Sequence, residues 1–280
     1  MSKIVVTGAT GHIGSALVKT LREQGADVRV IVRTPADQKE MPAGVEVFTG
    51  DLADPKTLSA AFIGADKAFL LPGYPGVATE MKKAGIDYIV QSSGISAALT
   101  DSDDAISKFM IASEEETKQA TDNWTILRPG AFMSNTERWI PAIKAGQPVR
   151  LTFSDKKTAL LDPADIAAVA AAILLESSPS HKGKAYHLSG GEQLFPRDCI
   201  HILEEISGKK IAYEELSNSE SIEELRANGT PQKYLDAFHD FYIKNLIDES
   251  VIYPAVQEIL GRSPRTYRQW AVDHQNAFFG

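Results

Sequence analysis

Along residues 1–190, short apolar runs alternate with longer stretches in which apolar positions recur at helical spacing. The first run, Ile4-Val5-Val6, enters the turn Gly8-Ala9-Thr10-Gly11-His12-Ile13-Gly14, and residues 12–24 then carry one apolar helical face. Residues 27–33 are β-branched and end at Thr34-Pro35, the pattern of a strand buried on both faces of a parallel sheet. Further strands are predicted at 45–48, 65–71, 87–91 and 124–128. Asp54 before Pro55 predicts a helix start, and Ser113 with Glu116 has capping-box spacing, predicting a helix from there to Ala120. Other helices are predicted at 162–176, 197–207, 221–227, 231–246 and 264–278. Strands alternating with helices specify an α/β fold with a right-handed, doubly wound parallel sheet. The expected division is a sheet domain over 1–150, with 155–186 returning to it, and a smaller α/β domain over 187–280.

The glycine turn narrows the chemistry. Its spacing after a strand and before a helix predicts a dinucleotide site: Gly8 for the tight turn, Gly11 for close approach of main-chain amides to a pyrophosphate, and Gly14 for helix-on-sheet packing. Thr10, His12 and Ile13 complete the contact surface at the positive end of the helix. In a doubly wound sheet, ligands lie beyond the carboxyl ends of the strands. Gly8 to His12, Arg33, Asp51, Leu52, Leu71, Pro72, Ser92, Ser93 and Pro129 all fall at such ends. Arg33 stands where an acidic residue would bind a ribose 2′-hydroxyl, and a guanidinium there suits a 2′-phosphate, so NADP(H) is expected over NAD(H). Asp51 is placed either to accept from the adenine amino group or simply to cap its own turn.

Charge and cysteine usage remove other classes. A net charge of −8 with no basic cluster argues against nucleic-acid binding. The lone Cys199 excludes an internal disulfide, and the chain enters a strand at once with no leader, so a cytoplasmic protein is expected. No apolar run approaches the roughly 20 residues a membrane span needs. The six histidines show no ligand spacing with Cys199 or one another, so no metal is expected.

Gly-Ala-Thr-Gly-His-Ile-Gly, Val-Ile-Val-Arg, Gly-Asp-Leu, Ser-Ser-Gly and Trp-Thr-Ile-Leu-Arg-Pro-Gly-Ala-Phe-Met-Ser-Asn together resemble the NmrA-like branch of the atypical short-chain dehydrogenases. The similarity extends to Asp162-Pro163-Ala164-Asp165-Ile166-Ala167 and the closing Gly261-Arg262-Ser263-Pro264-Arg265-Thr266-Tyr267, nearly the whole chain. The resemblance implies a Rossmann fold holding NAD(P)H at the residues above. The branch includes quinone and azo-dye reductases, isoflavone-reductase relatives and redox-sensing regulators, so fold kinship does not choose among activities.

Ordinary short-chain dehydrogenases use a tyrosine with a lysine four residues later as proton donor. No tyrosine of this chain has that lysine: Tyr74 is followed at that spacing by Ala78 and Tyr88 by Ser92. In NmrA-like relatives a histidine or lysine often serves instead, and counting back from Trp124 puts Met110 at that position. Lys108 is the nearest replacement, with Ser92 and Ser93 as further candidates for hydrogen bonding to the reacting end. Tyr74, Phe132 and Met133 are candidates for an apolar substrate wall. The segment from Leu71 to Ile86 is shorter than the usual crossover, implying a wider cleft or one completed by a partner subunit. An acceptor that is already electron-poor needs little acid from the protein. The expected function is therefore an NADPH-dependent oxidoreductase for a small flat acceptor such as a quinone. The alternatives are an NADP(H)-sensing regulator acting through a protein partner and, disfavoured by the missing Tyr and Lys, a nucleotide-sugar epimerase. A homodimer fits either of the first two.

Overall fold

A computed structural model describes residues 2–37, 41–177 and 180–280. Its frame is a seven-stranded parallel sheet built from β1 (Lys3–Val6), β2 (Asp27–Val32), β3 (Glu46–Thr49), β4 (Lys67–Leu70), β5 (Tyr88–Ser92), β6 (Trp124–Pro129) and, later in the chain, β8 (Lys184–Leu188). The spatial order is β3-β2-β1-β4-β5-β6-β8. The chain steps outward from β1 to β3 and then crosses back to place β4 on the other side of β1. The order therefore reverses between β1 and β4, where a ligand crevice forms in such sheets.

Alternation along the strands sends their side chains to two cores. Ile4 and Val6 face a cluster with Leu17, Val18 and Leu21 of α1 (His12–Glu23) and with α6 (Pro163–Leu175), while Val5, Ile31 and Ile89 face the opposite layer. That layer holds a single turn, α2 (Ser59–Phe62), and α3 (Val77–Lys83). The residues of α6 are buried nearly all round, which explains its unbroken Ile/Ala/Leu composition. Lys67 caps its last turn, donating from Nζ to the carbonyls of Leu174 and Glu176, both at 2.7 Å.

One predicted boundary is corrected. The helix expected from Ser113 begins at Asp104, whose carboxylate accepts from the amides of Ile106 and Ser107 at 2.9 and 2.8 Å; α4 spans Ala105–Ala120. Ser113 and Glu116 cap nothing in their own helix. Ser113 Oγ accepts from Gly73 N–H and Gln91 Nε2, and Glu116 accepts from the amide of Gly76, so α4 fastens the segment entering α3. Asp54 precedes a 3-10 turn, Pro55–Leu58, but its side chain makes no capping bond.

A third core, around Met133, Trp139, Ile200, Tyr267 and Trp270, joins the segment after β6 to the C-terminal helices. Its elements include α5 (Ile140–Ala145), the pair β7 (Val149–Leu151) and β9 (Tyr213–Glu215), and α7 (Pro196–Ser207), with α8 (Asn218–Ala227) following in the chain. Helix α9 (Gln232–Phe238) gives way to a π-helical turn at His239–Ile243 where one continuous helix is predicted; α10 (Ala255–Leu260), α11 (Tyr267–Asp273) and α12 (Gln275–Phe279) close the chain. The closing segment is pinned to the start of α6: Arg262 contacts Asp165 at 2.7 Å and Arg265 contacts Asp162 at 2.9 Å, as ion pairs without aligned hydrogen bonds. The Arg265 amide adds a bond to Asp165 at 2.6 Å. Among the described residues no helix is long and apolar enough to cross a membrane.

Candidate functional site

The ends of β1 and β4 are tied by one side chain. Thr7 Oγ1 donates to the Phe69 carbonyl at 3.1 Å and accepts from the Leu71 amide at 2.9 Å, which brings the glycine turn against Leu71. Gly8 has φ +67, and a Cβ there would lie 2.3 Å from Leu71 Cδ1. A Cβ on Gly14 would lie 2.1 Å from the Gly8 carbonyl oxygen, so the helix can start this close to the strand only on glycine. Gly11 differs: a Cβ would meet only the Gly8 oxygen, at an ordinary 3.5 Å, and the glycine is exposed. Its freedom is therefore not demanded by the protein's own packing.

No side chain caps α1 and no acidic residue occupies its first turn. Thr10, Gly11 and His12 are exposed around this positive end, with Ile13 half-buried beside them. An uncapped helix start facing solvent over an open glycine is the cradle a pyrophosphate fits. At the neighbouring strand ends, Arg33 is exposed, and Thr34 donates through its amide and hydroxyl to Asp37, both at 2.9 Å. Asp51 caps its own turn, accepting from Ala53 N–H at 2.9 Å through Oδ1. Leu52 is buried behind it, and Leu71 and Pro72 are half-buried at the end of β4.

Beyond β5 and β6 the structure reveals a network that the pattern of acidic residues conceals. Glu114, on α4, is 2% exposed and accepts from Arg128 Nε at 2.7 Å, Arg128 NH2 at 2.6 Å, Ser93 Oγ at 2.8 Å and Lys118 Nζ at 3.1 Å. Burial alone would raise its pKa, but the Arg128 and Ser93 hydrogen bonds outweigh it and hold the carboxyl below the ordinary range. The Ser93 proton is thus committed to Glu114. Ser92 is buried at the last position of β5.

The candidate acid is corrected. Lys108 lies in the first turn of α4 with its side chain 60% exposed, paired with Asp103 at 2.8 Å. The α4 side chain lying over the β5 end is Met110, 3.4 Å from where a Gly94 Cβ would stand. Phe109 covers Gly73 in the same way. The α4 side chain over Gly94 is therefore apolar, beside the polar Ser93–Glu114–Arg128 network. Met133 is also corrected: at 1% exposure it belongs to the third core, with no surface to offer a substrate. Tyr74 and Phe132 keep partial exposure but pack against the two sheet cores.

A further concavity lies past β6. A cavity of about 290 Å³ opens at Ala131, just past the end of β6, and is walled by Trp139, Phe153 and Phe238. Its polar lining includes the ionisable groups Arg138, Lys156, Tyr242 and Glu249 beside several hydroxyl and amide side chains. Tyr242 Oη donates to Glu249 Oε2 at 2.7 Å, and the Ala159 amide donates to the Glu249 carbonyl at 2.7 Å. Burial raises the Glu249 pKa, and the Tyr242 and Ala131 hydrogen bonds offset only part of that. Burial likewise lifts the Tyr242 phenol well above its usual value, with the Glu249 charge adding to the effect. Phe153, whose ring centroid lies 4.4 Å from that of Tyr242, has φ 50, an uncommon conformation for a bulky residue, and its amide donates to Ser221 Oγ at 2.8 Å. Only the aromatic stripe at 231–246 hinted at this wall.

Comparison with known proteins follows the same lines. Residues 1–253 match the model of the NmrA-like family. The (4-alkanoyl-5-oxo-2,5-dihydrofuran-3-yl)methyl phosphate reductase of Streptomyces griseus is 32% identical over 98% of this chain and 99% of its own. The NAD(P)H azoreductase of Xenophilus azovorans is 30% identical over the same shares, 98% and 99%. Among solved structures, the NADPH-dependent quinone oxidoreductase of Escherichia coli in complex with NADPH superposes with a TM-score of 0.79, at 26% identity over 98% of this chain and 99% of that one. The glycine turn, the reversing sheet and the full-length match agree, and the chain belongs to the NmrA-like family.

Proposed function

We propose that this protein is an NADPH-dependent reductase of a small, flat, electron-poor acceptor such as a quinone. The observation that carries the reading is the uncapped start of α1 over Gly11, left open although the protein's own packing does not require glycine there. The main-chain amides of His12, Ile13 and Gly14 at the start of α1 would hold the pyrophosphate, Arg33 the 2′-phosphate, and Asp51 with Leu52 the adenine. Leu71, Pro72, Ser92 and Pro129 would line the nicotinamide half. When bound, the reduced nicotinamide supplies the hydride.

The remaining work falls to the chain's own side chains. Phe109 over Gly73 and Met110 over Gly94 add apolar surface past β4 and β5, and the aromatic walls of the cavity past Ala131 suit a planar ring stacked at a fixed orientation. With Lys108 in solvent and Ser93 bound to Glu114, no strong acid stands at the β5 end among the residues placed there. Acceptors that stabilise the added electrons themselves are therefore favoured. The relatives' own acceptors, an azo compound, a quinone and a conjugated lactone, have this property in common. The test is to mix purified protein with NADPH or NADH and a panel of quinones and follow absorbance at the nicotinamide band. Oxidation of NADPH faster than NADH is expected. NADPH binding with no oxidation by any acceptor would overturn the reductase reading in favour of a nucleotide sensor.

A further inference from the structure

We propose that the cavity past β6 selects acceptors bearing an oxyanion, a carboxylate, sulfonate or phosphate, which Arg138 pairs. The inference rests on the reductase reading for the word acceptor, but the anion site itself stands on Arg138 and its surroundings. Arg138 closes the 3-10 turn Met133–Trp139 and lines the cavity with Tyr242 and Glu249. Arg138 is an exposed residue, and protein atoms around its guanidinium lower its pKa by desolvation. Of its five N–H donors, one finds a partner at 3.2 Å in Thr152 Oγ1, a neutral hydroxyl.

The other charges around the cavity are already answered. Lys156 lies 3.5 Å from Asp155 and donates to Asn245 Oδ1 at 2.9 Å. Glu249 accepts hydrogen bonds from the Tyr242 hydroxyl and the Ala131 amide, without Arg138. Tyr242 lies near enough to both Arg138 and Glu249 to feel each charge. Among the described residues no carboxylate pairs with Arg138. A guanidinium that lines a cavity with most of its donors unused and no carboxylate beside it can take a ligand oxyanion in bidentate contact. The chain is acidic overall, at −8, so such an anion would be drawn by this local site and not by the general field.

The probes are ortho-naphthoquinone and its ring-sulfonated derivative, a matched pair differing by one oxyanion. Trp139 lines the cavity, so binding of either is read without nucleotide as quenching of tryptophan emission, and turnover is read separately with NADPH. Wild type should bind the sulfonated probe more tightly, with affinity falling as salt rises. In Arg138→Gln the preference for the sulfonated over the neutral probe should collapse by about tenfold to a hundredfold, the worth of one charged hydrogen-bonded contact. Arg138→Lys should keep part of it, and an unchanged thermal transition shows that both variants fold. Equal loss for both probes, no preference in wild type, or a loss of NADPH affinity in place of probe affinity would overturn the proposal. Arg138-dependent binding of the sulfonated probe with no turnover of either quinone would uphold the anion site and sink the reductase reading.

Discussion

Replacing Gly11 with alanine separates what the fold needs from what the nucleotide needs. With φ −90 and ψ 171, Gly11 sits in backbone space that any residue adopts, and an added Cβ touches only the Gly8 oxygen at 3.5 Å. Alanine restricts the unfolded chain, worth about 0.4–1 kcal/mol in favour of folding, and is a poorer N-cap than glycine by a similar amount. The two nearly cancel, so the thermal transition should move by only a few degrees. Nucleotide binding should not survive as well. The methyl group projects over the amides that face a phosphate, and losing one charged hydrogen bond costs about 1.5–3 kcal/mol, a tenfold to hundredfold weaker NADPH affinity. Gly14→Ala serves as the contrast: its Cβ would stand 2.1 Å from the Gly8 oxygen and 2.6 Å from the Gly8 carbonyl carbon. Relieving that overlap should cost about 1–3 kcal/mol of stability before any ligand is added. Titration calorimetry and a thermal melt on each variant decide the matter. A Gly11→Ala protein that binds NADPH as tightly as wild type would refute the placing of the phosphates over this turn.

Arg33→Ala should weaken NADPH binding by roughly tenfold and leave NADH binding little changed, since one exposed guanidinium–phosphate contact is at stake; paired titrations with the two nucleotides check it. Glu114→Ala strands Arg128 beside a buried gap and should cost about 3–5 kcal/mol in urea unfolding. Because the Glu114 pKa is lowered by folding, its contribution is fully present above the unfolded carboxyl value and is lost as pH falls through the lower folded one. The gap between wild type and Glu114→Gln should accordingly close in acid. Glu249 has the opposite sign: folding raises its pKa, so its stabilising share is present below the unfolded value and is lost as pH rises through the folded one. Glu249→Gln, which can still accept from Tyr242, should match wild type at pH near 4 and melt higher than it as pH rises; a gap independent of pH would contradict the assigned burial.

The parallel sheet was legible because its central strands are buried on both faces and are followed within a few residues by glycine or proline. The six predicted strands fall within a residue or two of β1 to β6. The start of α4 was not legible. Ser113 and Glu116 carry a local capping signal, but their side chains serve Gly73, Gln91 and Gly76, partners that lie far away along the chain. The same difference separates the two halves of the candidate site. The nucleotide end is main chain from one contiguous turn, and at Gly8 and Gly14 only glycine fits, so the spacing itself encodes the geometry. The acceptor end takes Ala131 from a loop, Arg138 from a 3-10 turn and Tyr242 from a π-helical turn, elements without a period to read. A site divided this way can keep its nucleotide while its acceptor changes, because side chains on separate irregular segments are substituted one at a time and the turn is not. Relatives named for an azo compound, a quinone and a lactone phosphate match this chain along nearly its whole length, a spread of acceptors that such a division would permit.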